Sequence, residues 1–304
     1  MLPSPPLERQ VSYIYIWIKY RIKRTLVNLL CAFVPFKKYR KLIRTYFGYP
    51  VGNLKTISPP PSPSNISLRK GRCIAEGDWR GVGIEFFSLA DVVLSDPLYR
   101  EAFDLAKERT IVAQNRRVNI FLIMKFFLRN IAQGDIIEFG SYKGGNAIFM
   151  AYVASKLYPG MKIYALDTFE GMPQTDKDID RHNMGDFSDV SYLELQDYIK
   201  SLGLDNLILA KGLFEDTTDG VLKKANNICL AHIDCDIYSA VCYSYNAVKS
   251  AMVNGGYIIF DDATVSTCLG ATEAVEELVY GRDHLYAEQI FPHFVFRIFN
   301  EKHK

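Results

Sequence analysis

The sequence predicts an α/β fold, a mostly parallel sheet wound on both faces by helices, and three observations carry that prediction. Short apolar runs near 135–139, 162–167, 206–210, 229–234 and 256–260 alternate with helical patterns near 144–157, 191–202, 215–225, 239–253 and 270–280. Polar residues gather at the carboxyl ends of the runs, where acids stand at Glu138, Asp167, Asp234 and Asp261. The first run also turns through Gly140, Gly144 and Gly145 into an amphipathic helix. Two more apolar runs, Leu285 to Ile290 and Phe294 to Phe299, are expected to form a terminal hairpin and bring the sheet to seven strands.

A chain of 304 residues with 49% hydrophobic content is long enough for one large domain and an appendage. The net charge of +2 conceals an asymmetry. Residues 1–50 hold ten Lys or Arg against one acid, Glu8, a charge of +9, and the remaining 254 residues stand at −7. Within that basic segment Ile14, Trp17, Ile18, Ile22, Leu26, Leu29 and Phe33 recur at helical spacing over 11–34, although Arg21 intrudes on the apolar arc. A second basic cluster, Lys37 to Arg44, is interleaved with Tyr39, Tyr46, Phe47 and Tyr49. This composition suits peripheral contact with an anionic membrane through residues 11–49; the other reading packs the helix on the catalytic domain or on a second subunit, as in a homo-oligomer. Nucleic acid is not an expected partner, because no binding motif accompanies the charge and the rest of the chain would repel phosphates.

The proline-rich stretch Ser58 to Ser64 marks the clearest boundary, which gives a basic helical segment at 1–50, a linker at 51–78 and a compact domain at 79–304. Two helical patterns, Leu89 to Lys107 and Arg116 to Asn130, precede the alternating region. The six cysteines show no C-x-x-C pair and no histidine at zinc spacing, so they are expected to be reduced thiols in a cytoplasmic protein. No cleavable leader is visible, and charges interrupt both N-terminal apolar runs well short of the ~20 residues a membrane span requires.

The glycine loop is a cofactor-binding candidate. Its glycines permit a tight turn, and the following helix offers free N–H groups. The spacing, Gly-x-x-x-Gly-Gly, does not meet the dinucleotide fingerprint, and Glu138 would repel a pyrophosphate while suiting hydroxyls, an amine or a sulfonium. That favours S-adenosylmethionine (SAM) over a nicotinamide dinucleotide. Asp167, followed by Thr168, is placed for ribose hydroxyls; alone it would equally be a turn or cap residue.

Two adjacent runs end His232-Ile-Asp234-Cys-Asp236 and Phe260-Asp261-Asp262. Neighbouring strands would bring Asp234, Asp261 and Asp262 together, and three carboxylates at one edge need a cation; oxygen-only ligation suits Mg²⁺. Asp236 and Asp262 also fit helix-cap and turn roles singly.

Five ordered segments resemble the successive motifs of the macrocin O-methyltransferase (TylF-type) family: Glu138 to Gly145, Leu166 to Pro173, Gly212 to Thr217, His232 to Tyr238 and Gly255 to Asp262. The resemblance spans roughly residues 80–300. It implies a class I, Rossmann-like SAM-dependent O-methyltransferase, often magnesium dependent, acting on a hydroxyl of a sugar, glycan or glycosylated small molecule. It also implies that Glu138, Gly140, Ser141 and Gly144 form the loop at the methionine end of SAM, with Asp167 and Thr168 at the ribose and Gly212, Leu213 and Phe214 at the adenine. Asp234 would serve both cofactor and metal, with Asp261 and Asp262 completing the metal set. The similar catechol-type enzymes carry a nearby lysine base, but here Ile237 and Tyr238 follow Asp236, so that role does not transfer. His182, in the polar stretch 174–190 that reads as an acceptor lid, and His232 are the histidine candidates for the base beside Asp234. The basic N-terminal segment adds the expectation of an acceptor held at the inner face of a membrane, such as a lipid-linked glycan. A nicotinamide oxidoreductase and a non-catalytic scaffold of the same fold are the alternatives.

Overall fold

The computed structural model describes residues 92–299 without a break, short strands at 72–74 and 84–86, and scattered positions between 26 and 43. The chain divides into two compact units, Met1–Leu68 with Cys73–Glu85, and Arg69–Arg72 with Phe86–Lys304. Strands β1 (Arg72–Ile74) and β2 (Ile84–Phe86) pair in a two-stranded sheet. Most of the expected basic helix at 11–34 lies outside the described residues, and positions 29–32 within it are helical. Among the described residues no helix is long and apolar enough to cross a membrane.

The second unit contains, in order, α1 (Pro97–Ala106), α2 (Gln114–Leu122), β3 (Asp135–Phe139), α3 (Gly145–Leu157), β4 (Ile163–Asp167), α4 (Tyr192–Ser201) and β5 (Leu207–Lys211). It continues with α5 (Phe214–Leu222), β6 (Ile228–Ile233), α6 (Tyr238–Val248), β7 (Met252–Phe260), α7 (Leu269–Ala274) and β8 (Phe294–Ile298). Local signals set several boundaries: Pro97 opens α1 beneath an Asp96 cap whose Oδ1 accepts from Leu98 N at 3.0 Å, and Ser191 caps α4.

The sheet runs β5-β4-β3-β6-β7-β8, with every pair parallel except β7 and β8. The order grows outward in both directions from the β3–β6 pair, so a crevice opens there at the carboxyl edge. This sheet has six strands among the described residues, not seven. Residues 285–290 make only a bridge, Gln289 to Val295, because Leu285 N is held by Val279 O at 2.9 Å and the segment meets β8 too late to pair further.

Period-two alternation separates two cores. Ile136, Ile163, Ala165, Leu230 and Ile259 face one layer, with α1 to α4. Ile137, Tyr164, Leu166, Ala231, Ile258 and Phe260 face the other, with α5 to α7. Helix α3 departs from the expected amphipathic pattern: residues 145–151 are all buried, because α1 and α2 cover its outer side. Phe149 there meets Tyr99 edge-on at 5.4 Å and Phe121 at 6.4 Å. Phe149→Ala is expected to cost about 3–5 kcal/mol of folding stability, measured by urea unfolding, with Phe149→Leu costing clearly less.

Candidate active site

A cavity of about 350 Å³ occupies the crevice. Its floor is set by strand register: Glu138 lies beside His232, and Ile233 beside Phe260, so Asp234 and Asp261 leave the sheet as neighbours. The ladder continues past the strands, with Asp234 N on Phe139 O and Asp261 N on Ile233 O, both at 2.9 Å.

The glycine loop is held by Asp167. Its Oδ2 accepts from Ser141 N and Tyr142 N, each at 2.8 Å, and its Oδ1 accepts from Phe169 N at 2.7 Å. Burial raises the Asp167 pKa, and these amide bonds pull the other way. Tyr142 and Phe169 both adopt left-handed backbone, with φ of 49° and 52°, and the carboxylate bonds offset that strain. Asp167 therefore shapes the loop while lining the cavity with Thr168.

The glycines do different work from the cradle expected of them. At Gly140, φ is +84° and a Cβ would lie 1.8 Å from Asp234 O, so its absence lets the loops after β3 and β6 touch. Gly144 and Gly212 do not line the cavity. A Cβ at Gly144 would strike the Leu195 side chain at 2.7 Å, and one at Gly212 would crowd Thr217 at 3.1 Å; both glycines shape turns. Glu138, Gly140, Ser141, Leu213, Phe214 and Asp234 do line it.

Glu138 is fully buried. Its Oε1 accepts from Asn146 Nδ2 at 2.7 Å and lies 3.1 Å from His232 Nδ1. Glu138 Oε2, Ser141 Oγ and Asn146 Oδ1 are buried without a partner. Unpaired polar atoms beside a cavity call for a polar ligand. The cluster offers acceptor oxygens, which suits an ammonium or sulfonium and not a phosphate.

Asp234, Asp261 and Asp262 converge, with one oxygen from each lying within 4.8 Å of the others. Burial and then the charges of Asp261 and Asp262 push the Asp234 pKa well up; burial and then Asp236 and Asp261 do the same to Asp262. Asp261 goes the other way. Burial opposes its charge, but hydrogen bonding to His232 and His293 prevails and holds it well below the usual carboxylate range. Its Oδ1 lies 3.3 Å from His232 Nε2 and 2.9 Å from His293 Nδ1, and its Oδ2 accepts from Arg116. The oxygen-only donors and their mutual repulsion fit a hard divalent cation.

His232 was open to two roles, a base or a buried strand residue bonded beside the site, and its surroundings are those of the second. It is fully buried, its two ring nitrogens face Glu138 and Asp261, and it does not line the cavity. It positions two acids. His182 does reach the cavity from the lid, its Nδ1 3.3 Å from Asp186 Oδ2 and its Nε2 3.6 Å from Asp236 Oδ1. Asp236, absent from the catalytic candidates, lines the same wall; β6 ends at Ile233, so a left-handed turn at φ 59°, not strand alternation, aims it there. Burial raises its pKa. Sequence reasoning also missed Arg116, Asn146 and His293. No motif marks them, since tertiary register alone brings them to the acids.

The open, mostly parallel sheet with acids lining the crevice at its switch point is the Rossmann-like architecture of class I methyltransferases. The chain belongs to the macrocin O-methyltransferase family: the Macrocin-O-methyltransferase (TylF) sequence profile matches residues 103–280. It is 26% identical over 172 residues to the 8-demethyl-8-(2,3-dimethoxy-alpha-L-rhamnosyl)-tetracenomycin-C 4'-O-methyltransferase of Streptomyces olivaceus, covering 53% of this chain and 65% of that relative. It is 23% identical over 216 residues to the demethyldecarbamoylnovobiocin O-methyltransferase of Streptomyces niveus, covering 62% of this chain and 81% of that one. The structure of the O-methyltransferase NovP superposes with a TM-score of 0.55 at 21% identity, over 70% of this chain and 95% of that chain.

Removing the Asp167 carboxylate tests the loop geometry independently of any ligand. Charge-assisted hydrogen bonds contribute about 1.5–3 kcal/mol, so Asp167→Ala should speed amide exchange at Ser141 and Tyr142 about 10- to 100-fold, leaving β3 amides protected.

Proposed function

We propose that this chain transfers the methyl group of SAM to a hydroxyl of a saccharide or glycosylated small molecule, with Mg²⁺ as the divalent cation. The observation that carries the reading is the adjacency, around one cavity, of unpaired Glu138, Ser141 and Asn146 atoms and the Asp234, Asp261 and Asp262 cluster. Relatives named for methylation of a rhamnosyl group and of a novobiocin precursor support the acceptor class. The finer parts are the metal and an acceptor presented at a membrane, the latter resting only on the +9 charge of residues 1–50. A dinucleotide fits poorly, since Glu138 has no basic partner beyond His232 among the described residues and would face a pyrophosphate.

When bound, SAM supplies the electrophilic methyl and Mg²⁺ the Lewis acidity that lowers the acceptor hydroxyl pKa. Asp234, Asp261 and Asp262 would hold the cation, and Glu138 with Ser141 would hold the polar end of the donor. His232 and His293 fix the orientation of Asp261. Asp236 takes the hydroxyl proton on a carboxylate oxygen, and its raised pKa makes it a better base than a solvated aspartate. His182 Nε2 stands 3.6 Å from that carboxylate to orient it. Met172 and Pro173 just before the lid, Phe187 within it and Leu213 from another loop narrow the cavity and exclude water, which favours an aligned displacement.

Labelled methyl transfer from SAM to a panel of rhamnosides, other glycosides and glycolipids tests the reading. Chelation by EDTA should stop transfer and Mg²⁺ restore it; transfer that persists through thorough chelation rejects the metal. Asp234→Asn is expected to weaken Mg²⁺ binding about 10- to 100-fold while SAM affinity, read by calorimetry, changes little. Asp236→Asn should lower kcat about 10²- to 10⁴-fold with SAM and Mg²⁺ affinities preserved, and an unchanged kcat removes it as the base.

A further inference from the structure

We propose that His182, Asp236 and Cys268 form a second metal seat, one selective for a soft ion such as Zn²⁺, that clamps the lid to the sheet edge. The three come from separate elements: His182 from the lid, Asp236 from the loop after β6, and Cys268 from the residue before α7. All three line the cavity, so an ion arrives through it.

The spacing carries the inference. Cys268 Sγ lies 3.7 Å from His182 Nε2 and 3.3 Å from Asp236 Oδ1, and His182 Nε2 lies 3.6 Å from Asp236 Oδ1. A tetrahedral zinc at about 2.3 Å from sulfur and about 2.0–2.1 Å from nitrogen and oxygen has sulfur–nitrogen and sulfur–oxygen edges of about 3.5 Å and a nitrogen–oxygen edge of about 3.3 Å. Every observed edge falls within roughly 0.3 Å of that face. Three protein ligands leave a fourth position open toward the cavity.

Ligand softness separates this seat from its neighbour. The Asp234, Asp261 and Asp262 set offers only carboxylate oxygens and suits Mg²⁺, whereas thiolate and imidazole select zinc-like ions. The two lie side by side, joined by Asp236 N donating to Asp262 Oδ2 at 2.9 Å. On ligation the Cys268 S–H bond breaks, its proton passes to buffer, and a sulfur–metal bond forms. The ion would then occupy the proposed base and its histidine partner and tie down the lid, so Zn²⁺ inhibits while Mg²⁺ supports transfer. The seat itself does not depend on the methyltransferase reading.

Titration of the metal-free full-length protein with Co²⁺ is the test, followed by visible and near-ultraviolet absorption. Expected are a thiolate-to-cobalt charge-transfer band and intense tetrahedral visible bands that saturate at one equivalent and vanish on adding Zn²⁺. Cys268→Ser should lose the charge-transfer band, and His182→Ala, at a part-exposed position, should weaken cobalt binding about 10- to 100-fold. Asp234→Asn should retain the band, which separates this seat from the carboxylate set. Absence of the band in the unsubstituted protein, or its persistence in Cys268→Ser, overturns the proposal; if Cys268→Ser misfolds by circular dichroism, unaltered binding in His182→Ala overturns it equally.

Discussion

Burying several carboxylates at the junction of β3, β6 and β7 is the constraint on which the rest of the site depends. Removing one unpaired carboxylate from water is costly, and here buried Glu138, Asp261 and Asp262 sit together with half-buried Asp234. Protein groups offset part of that cost. His232 lies between Glu138 and Asp261, while His293 and Arg116 complete the surroundings of Asp261. His293 is itself held by Asn119, 2.8 Å from its Nε2, so α2 and the residue before β8 both serve one aspartate. Among the described residues Asp234 and Asp262 have no such cationic neighbour in direct contact, so theirs is the charge a bound cation would balance.

The same economy explains the loops. Asp167 spends both oxygens on backbone amides, which fixes a left-handed Tyr142 and leaves Ser141 facing the cavity with its hydroxyl unpaired. Lys143 and Tyr142 then reach Asp189, so the glycine loop and the lid share an exposed polar contact. Such a contact contributes little to stability and opens readily, in keeping with a lid that must admit ligands. Near its middle the lid is anchored more firmly, through buried Asp180 accepting from Tyr238 N at 2.9 Å.

Much of this was legible in the sequence because two periodicities do not depend on tertiary context. Strand runs separated by helical patterns gave the parallel sheet, and an acid placed directly after a buried run has to emerge at the sheet edge. That logic located Glu138, Asp167, Asp234, Asp261 and Asp262. It stopped where the strand stopped: Asp236 lies beyond Ile233, and a turn decides its direction. Glycine was ambiguous for another reason, since the same residue serves close ligand approach and close packing; Gly144 and Gly212 lie off the cavity, where a Cβ would meet Leu195 and Thr217. Arg116, Asn146 and His293 were invisible because they act through register and packing between distant segments. The missing seventh strand reflects a competition that hydropathy does not contain, Leu285 N being bonded to Val279 O in the helical turns Val275–Arg282 that follow α7.

The His232 ring touches one acid from the donor half of the cavity and one from the carboxylate cluster, with no solvent around it. Burial opposes its charge, but hydrogen bonding to Asp261 and Glu138 prevails and holds its pKa well above the usual histidine range, so the protonated ring donates to both acids at once and a stronger pull from one side weakens its bond to the other. Occupancy of one half that alters its pull on the ring therefore changes the free energy of occupying the other half. By linkage that change is reciprocal: whatever factor a methyl donor would add to the affinity of a cation at the proposed seat, that cation would return to donor affinity. Order of binding would then be a property of one buried ring, set by its hydrogen bonds and not by movement of the fold.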